Sequence, residues 1–175
     1  GSHSAWSRRT SISSTADKPL DTPIQFHAVE NMTGCDMKAL NLSQEALEEL
    51  CVKQLKNGQV IWFACDAGAF GARKEGIWDP ASVQYEALLG GFSTDMPKDK
   101  RLEYNSSSAT HAMLLTGVHF DKEGKPDRWK IENSWGKDVG DKGYFVCSEA
   151  YFQEFVYEAV IDRRHFSPAQ LAMLE

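Results

Sequence analysis

The sequence has 175 residues, 42% of them hydrophobic, with 19 Lys and Arg against 25 Asp and Glu, a formal net charge of −6 and a pI near 5.4. That length fits one domain with a real core, and the mildly acidic balance offers no basic face, so nucleic acid is not an expected partner. The longest apolar run, residues 60–65, is far short of the ~20 residues that span a bilayer, so no membrane partner is expected either.

Residues 1–18 read as a tag remnant (Gly1, Ser2, His3) and a polar Ser/Thr-rich leader whose loop-like character runs on to 21; the domain is then 19–175. Residues 24–29 alternate like a strand, with Ile24, Phe26 and Ala28 on one side, and 31–34 carry turn chemistry. Ser43 reads as an N-cap. Behind it Ala46, Leu47, Leu50, Cys51, Val52 and Leu55 recur at helical spacing, and Asn57-Gly58 stops the helix. Residues 60–65 read as a buried strand, 66–76 as a glycine-rich irregular stretch, and 77–104 show no clean period beyond a short amphipathic piece at 85–89. Strands follow at 111–120, 128–132 and 143–147. Ser148 caps a short helix at 149–155, a strand covers 157–161, and Ser167-Pro168 opens a helical tail. The sum is an α+β, β-rich domain with a small barrel or curled antiparallel sheet and flanking helices.

The chemistry concentrates in one hairpin. With a loop at 121–124, antiparallel pairing sets His111 opposite Ser134 and puts Asn133 one step away, within a residue or two of register. An imidazole and a carboxamide then share one end of the hairpin. Histidine is the base that activates a thiol near neutral pH. A carboxamide oxygen that accepts its second N–H fixes the ring's tautomer and orientation. Trp135, close in sequence, is positioned to shield that bond from water.

Thr110-His111-Ala112 and Asn133-Ser134-Trp135-Gly136, followed by Gly143-Tyr144, resemble the histidine and asparagine strands of papain-type cysteine peptidases. Residues 60–68, 129–136 and 157–165 resemble the bleomycin hydrolase / aminopeptidase C branch, and the similarity runs over about 15–175. The resemblance implies the right-hand, barrel-like domain of a papain-like fold. It implies His111 as general base and acid, Asn133 as its orienting partner, Trp135 as shield, a peptide substrate, no cofactor, and a hexameric cytoplasmic enzyme. In that family the nucleophile stands in a Cys-Trp context N-terminal to this stretch, so the partner to be expected is a cysteine-bearing N-terminal half. This sequence has no such segment and stops before the branch's C-terminal tail. The expected function is thus a C-terminal fragment of a cysteine aminopeptidase, inactive alone, whose exposed Phe70, Met113, Leu115 and Trp135 form a sticky patch. The alternative is a non-catalytic interaction module of the same fold.

The other candidates are plainer. Cys35, Cys51, Cys65 and Cys147 show no metal-ligand spacing and no C-x-x-C, so they read as reduced, buried thiols and no metal is expected. Cys65 ends an apolar strand rather than opening a helix, which argues against it as a nucleophile. A self-contained hydrolase built on Cys65 is the weakest reading. His119 is expected to face solvent, and His27 and His165 have no evident role. Trp62, Trp78 and Trp129 read as packing, while 98–101 and 162–164 read as solvated charge clusters.

Overall fold

The computed structural model describes residues 9–26, 37–93 and 95–174. In chain order the elements are β1 (Arg9–Ser13), β2 (Thr22–Phe26), β3 (Met37–Asn41), α1 (Gln44–Lys56), β4 (Ile61–Cys65), β5 (Gly71–Ala72) and β6 (Ile77–Trp78), then α2 (Tyr85–Leu88) and α3 (Lys98–Glu103). They continue with β7 (His111–Phe120), β8 (Pro126–Glu132), β9 (Tyr144–Ser148), α4 (Glu149–Phe155), β10 (Val156–Asp162) and α5 (Pro168–Ala172). The strands form one sheet in the order β2-β3-β1-β10-β4-β7-β8-β9-β6-β5. The expected β-rich α+β domain is what forms. Its sheet is open, ending at β2 and β5, and β1–β3 and β6–β9 pair in parallel.

Helix α1 starts where its cap predicts: the Ser43 side chain accepts from the Ala46 N–H at 3.2 Å. It ends as Gly58 turns to φ +73°. Its Leu47, Leu50 and Cys51 join Tyr151, Phe152 and Phe155 of α4 over a sheet face built from Ile61, Phe63, Leu115, Ile131, Phe145 and Ile161. Each such aliphatic or aromatic side chain contributes about 1.5–3 kcal/mol on burial. Gln54 of α1 is buried but satisfied, donating to the Val60 carbonyl and accepting from the Asp162 N–H.

Several expectations need correction. Residues 9–13 are not loop: β1 lies between β3 and β10, with Ile12 and Ser13 fully buried. Trp62 is 42% exposed, on the outer side of β4, whereas Trp78 and Trp129 are core. Met113 and Leu115 are buried and belong to no exposed patch, and Phe70 and Trp135 are partly covered by the core. The 98–101 cluster is not a solvated face. Lys98 Nζ donates to Gln44 Oε1 and to the Gln153 and Val156 carbonyls at 2.7–3.0 Å, and burial pushes it down to about 7. Arg101 pairs with the Glu154 carboxylate. Asp162 is buried and receives the Arg164 guanidinium at 2.8 Å. The expected strand at 24–29 is described only as far as Phe26; His27, the turn at 31–34 and Cys35 lie outside the described residues.

Candidate active site

His111 is the first residue of β7, and its Cα partner across the sheet is Cys65, the last residue of β4. The strand entry is fixed on both sides of that pair. Thr110 N–H donates to the Cys65 carbonyl at 3.0 Å, and Thr110 Oγ1 accepts from Ala67 N–H at 3.2 Å. Across the hairpin the register differs from the expected one. Leu114 pairs with Glu132 rather than Ile131, because the loop runs through Lys125 and β7 carries irregularities at Leu115/Gly117 and His119/Phe120. A bulge adds a residue to one strand without marking the sequence. The displacement still brings the two polar groups together: His111 Nε2 lies 2.9 Å from Asn133 Oδ1.

The geometry also determines which proton is where. Asn133 Oδ1 receives the Ser134 backbone N–H at 2.8 Å. That donor cannot reverse its role, so the oxygen of the carboxamide, not its NH2, faces this corner. An oxygen only accepts, so Nε2 of His111 carries the proton and donates it. Nδ1 makes no hydrogen bond with a described residue. On a neutral ring Nδ1 therefore holds the lone pair, free for a proton from outside the pair. Asn133 Nδ2 is buried without a partner among the described residues, so the carboxamide is held from its oxygen end.

Trp135 stacks on the imidazole, with ring centroids 4.9 Å apart and planes 20° from parallel. It is in turn wedged by Trp78 at 5.8 Å and Phe145 at 5.6 Å, both edge-on, and the Arg73 guanidinium lies 4.4 Å from its ring centroid. Trp78 is itself pinned, its Nε1 donating to the Ala67 carbonyl at 3.1 Å. A Cβ at Gly71 would come within 2.7 Å of that nitrogen, so only glycine fits there. The loop carrying Trp135 is closed by Asn133 N–H to the Gly143 carbonyl at 3.1 Å.

The structure thus unites His111, Asn133 and Trp135 as the sequence reading expected. Arg73 and Trp78 were missed as contributors. Trp78 was visible only as a packing residue, and Arg73 lies in a glycine-rich stretch with no period to place it. Cys65 is fully buried, and burial pushes its thiol up to about 12. His119 is exposed, as expected, and pairs with Asp127; His165 meets Gln59 at 3.0 Å.

A family profile described as the peptidase C1-like family matches residues 10–175. Aminopeptidase C of Streptococcus thermophilus is 38% identical over 162 residues, covering 92% of this chain and 36% of that protein. Bleomycin hydrolase of Gallus gallus is 37% identical over 166 residues, 90% of this chain and 36% of its own length. The crystal structure of pepw from Lactobacillus rhamnosis HN001 superposes with a TM-score of 0.92 at 38% identity, covering 97% of this chain and 38% of that one. The chain spans little more than a third of the length of these relatives, in their C-terminal part. It belongs to the peptidase C1-like family, with aminopeptidase C and bleomycin hydrolase enzymes among its relatives.

Proposed function

We propose that this chain is the part of a cysteine aminopeptidase that carries the general base, and that a more N-terminal segment of the whole enzyme supplies the nucleophilic cysteine. The observation that supports this reading is the 2.9 Å contact of His111 Nε2 with Asn133 Oδ1, with Nδ1 making no hydrogen bond among the described residues. In the whole enzyme a thiol beside Nδ1 passes its proton to that nitrogen, and the thiolate attacks the peptide carbonyl. The tetrahedral adduct collapses as Nδ1–H protonates the leaving amine, which gives a thioester and a neutral imidazole. Water then gives a proton to Nδ1 and attacks the thioester; the acid leaves and the thiol is restored. Asn133 keeps the ring aligned through both steps, and Trp135 keeps water from the bond that aligns it.

By itself the chain is proposed to be inactive, since the one thiol paired in register with the base is buried and held in its protonated form. A cytoplasmic setting suits the unpaired, buried Cys51, Cys65 and Cys147; a hexamer rests on the family resemblance alone. The test is to co-produce this chain with the cysteine-bearing N-terminal portion of the same enzyme. Peptide hydrolysis should appear. His111→Ala should then lower kcat by on the order of 10³-fold or more, and Asn133→Ala by on the order of 10²-fold. Hydrolysis that survives His111→Ala unchanged would remove the base from this reading.

A further inference from the structure

Arg73 lies at the turn of the β5–β6 hairpin, exposed to solvent. Its guanidinium carbon is 4.4 Å from the centroid of the Trp135 ring that stacks on His111 at 4.9 Å. Guanidinium and imidazole are therefore at most about 9 Å apart, whichever faces of the indole they occupy. No hydrogen bond or ion pair with another described residue engages Arg73. A guanidinium held over an aromatic ring, with no hydrogen bond or ion pair to another described residue, keeps its N–H donors available. That is a preorganised fork for a carboxylate, and it costs less side-chain entropy to use than a freely moving lysine.

We infer that Arg73 recognises the α-carboxylate of the amino acid released by hydrolysis, so that the enzyme favours dipeptides, whose leaving group is a single residue. The inference rests on the role proposed above for His111. Reach decides between leaving groups. The leaving amine must sit about 3 Å from Nδ1 to be protonated. Its own carboxylate carbon is about 2.5 Å further along the backbone, and a bidentate carboxylate–guanidinium pair adds about 4 Å between carbons. Extended, these reach about 9.5 Å together, enough to cover the upper limit of about 9 Å that the two ring contacts set on the separation. Each additional residue on the leaving group carries the carboxylate about 3.5 Å further away, past the fork. A blocked or amidated leaving residue offers the fork no negative charge at all.

Two measurements test this. On the chain as it stands, NMR signals of the Arg73 Nε–H and the Trp135 indole N–H are followed while acetate, or acetamide at equal ionic strength, is added. Acetate should shift both signals saturably in the millimolar range and acetamide should not; Arg73→Gln should abolish the acetate response. Absence of a saturable acetate shift, or the same shift of the Trp135 signal in Arg73→Gln, overturns the carboxylate fork. In the completed enzyme, kcat/KM for alanylalanine should exceed that for alanylalaninamide by about tenfold or more, the worth of one charge-assisted hydrogen-bonded pair. The ratio should fall towards unity in Arg73→Gln and be partly restored in Arg73→Lys. An active enzyme whose ratio ignores Arg73 overturns the inference alone. A completed enzyme with no peptidase activity overturns the general-base reading and the dipeptide preference with it.

Discussion

The Ser134 N–H leaves the Asn133 carboxamide one orientation, and through it leaves His111 one tautomer. A backbone group thus sets the protonation pattern of a side chain two hydrogen bonds away, without any charge. The contrast is with Cys65, whose chemistry is set by burial. It is fully enclosed at the end of β4, and its thiol is pushed up to about 12 by desolvation, against a smaller opposing contribution from the Tyr151 hydroxyl. Cys51 and Cys147 are raised by burial as well. A thiol with a raised pKa has almost no thiolate near neutrality, and the thiolate is the reactive form. Iodoacetamide at pH 7.5 should therefore leave Cys51, Cys65 and Cys147 unmodified in the folded chain, with all three reacting only after denaturant is added, as read by peptide mass mapping. Rapid, selective labelling of Cys65 would revive a self-contained nucleophile. At this scale the sequence was informative where a string names its own neighbours, as Asn133-Ser134-Trp135-Gly136 does. Arg73 escaped because its contact with Trp135 is made through a turn whose geometry depends on glycine contacts at Gly71 and Gly76 rather than on any pattern of side chains.

Helices α1 and α4 were legible almost residue by residue, because caps and apolar spacing act within one turn: Ser43 and Ser148 each accept an N–H three residues on. What neither helix announces is how they meet. The Gln153 side chain of α4 donates to the carboxylates of both Glu48 on α1 and Glu149, and Glu149 also receives the Trp129 indole N–H at 2.6 Å. Burial, and then the neighbouring Glu149 charge, push Glu48 up to about 7. The sign follows directly. Between about 4.5 and about 7 the folded chain keeps a proton that the unfolded chain has lost, so this contact stabilises most below that window. Its contribution declines as pH rises through the window, and is constant above it. Glu48→Gln keeps the shape and removes the titration. Its Tm should exceed the parent's by roughly 2–4 °C at pH 8, the shift that about 1 kcal/mol gives a chain this size after solvent screening. The difference should close towards pH 4.5. An equal difference at both pH values would mean that Glu48 is not the titrating group. Strand-level reading fared less well for a related reason. β1 is Ser/Thr-rich, and its burial comes from two neighbours distant in sequence, β3 and β10, which no local pattern reveals.

The molecule as a whole buries its sheet-and-helix core well, yet leaves a run of large apolar side chains in water on and after α2. Leu88 is 76% exposed, Phe92 78%, Leu89 54% and Tyr85 42%, and Tyr85 meets Phe70 edge-on at 5.4 Å. The sequence reading expected such a surface but placed it among Phe70, Met113, Leu115 and Trp135; of these, Met113 and Leu115 lie on β7. Strand alternation turns those two inward, whereas 77–104 lacks the periodicity that would have flagged an apolar edge. So many large apolar side chains exposed within eight residues are a cause of association, and the net charge of −6 opposes but does not remove that tendency. The chain by itself is therefore expected to self-associate with rising concentration and to bind a dye such as ANS. Replacing Leu88 and Phe92 together by glutamate removes the two most exposed groups without touching the core, so melting temperature should stay within about 1–2 °C, as surface changes usually do. Sedimentation velocity should then move the population towards monomer, and ANS fluorescence should fall by more than half. Association that persists undiminished in this variant would shift the cause to the other exposed apolar row, Ile77, Tyr144 and Val146 on the outer face of β6 and β9, where the same pair of measurements on Val146→Lys would locate it.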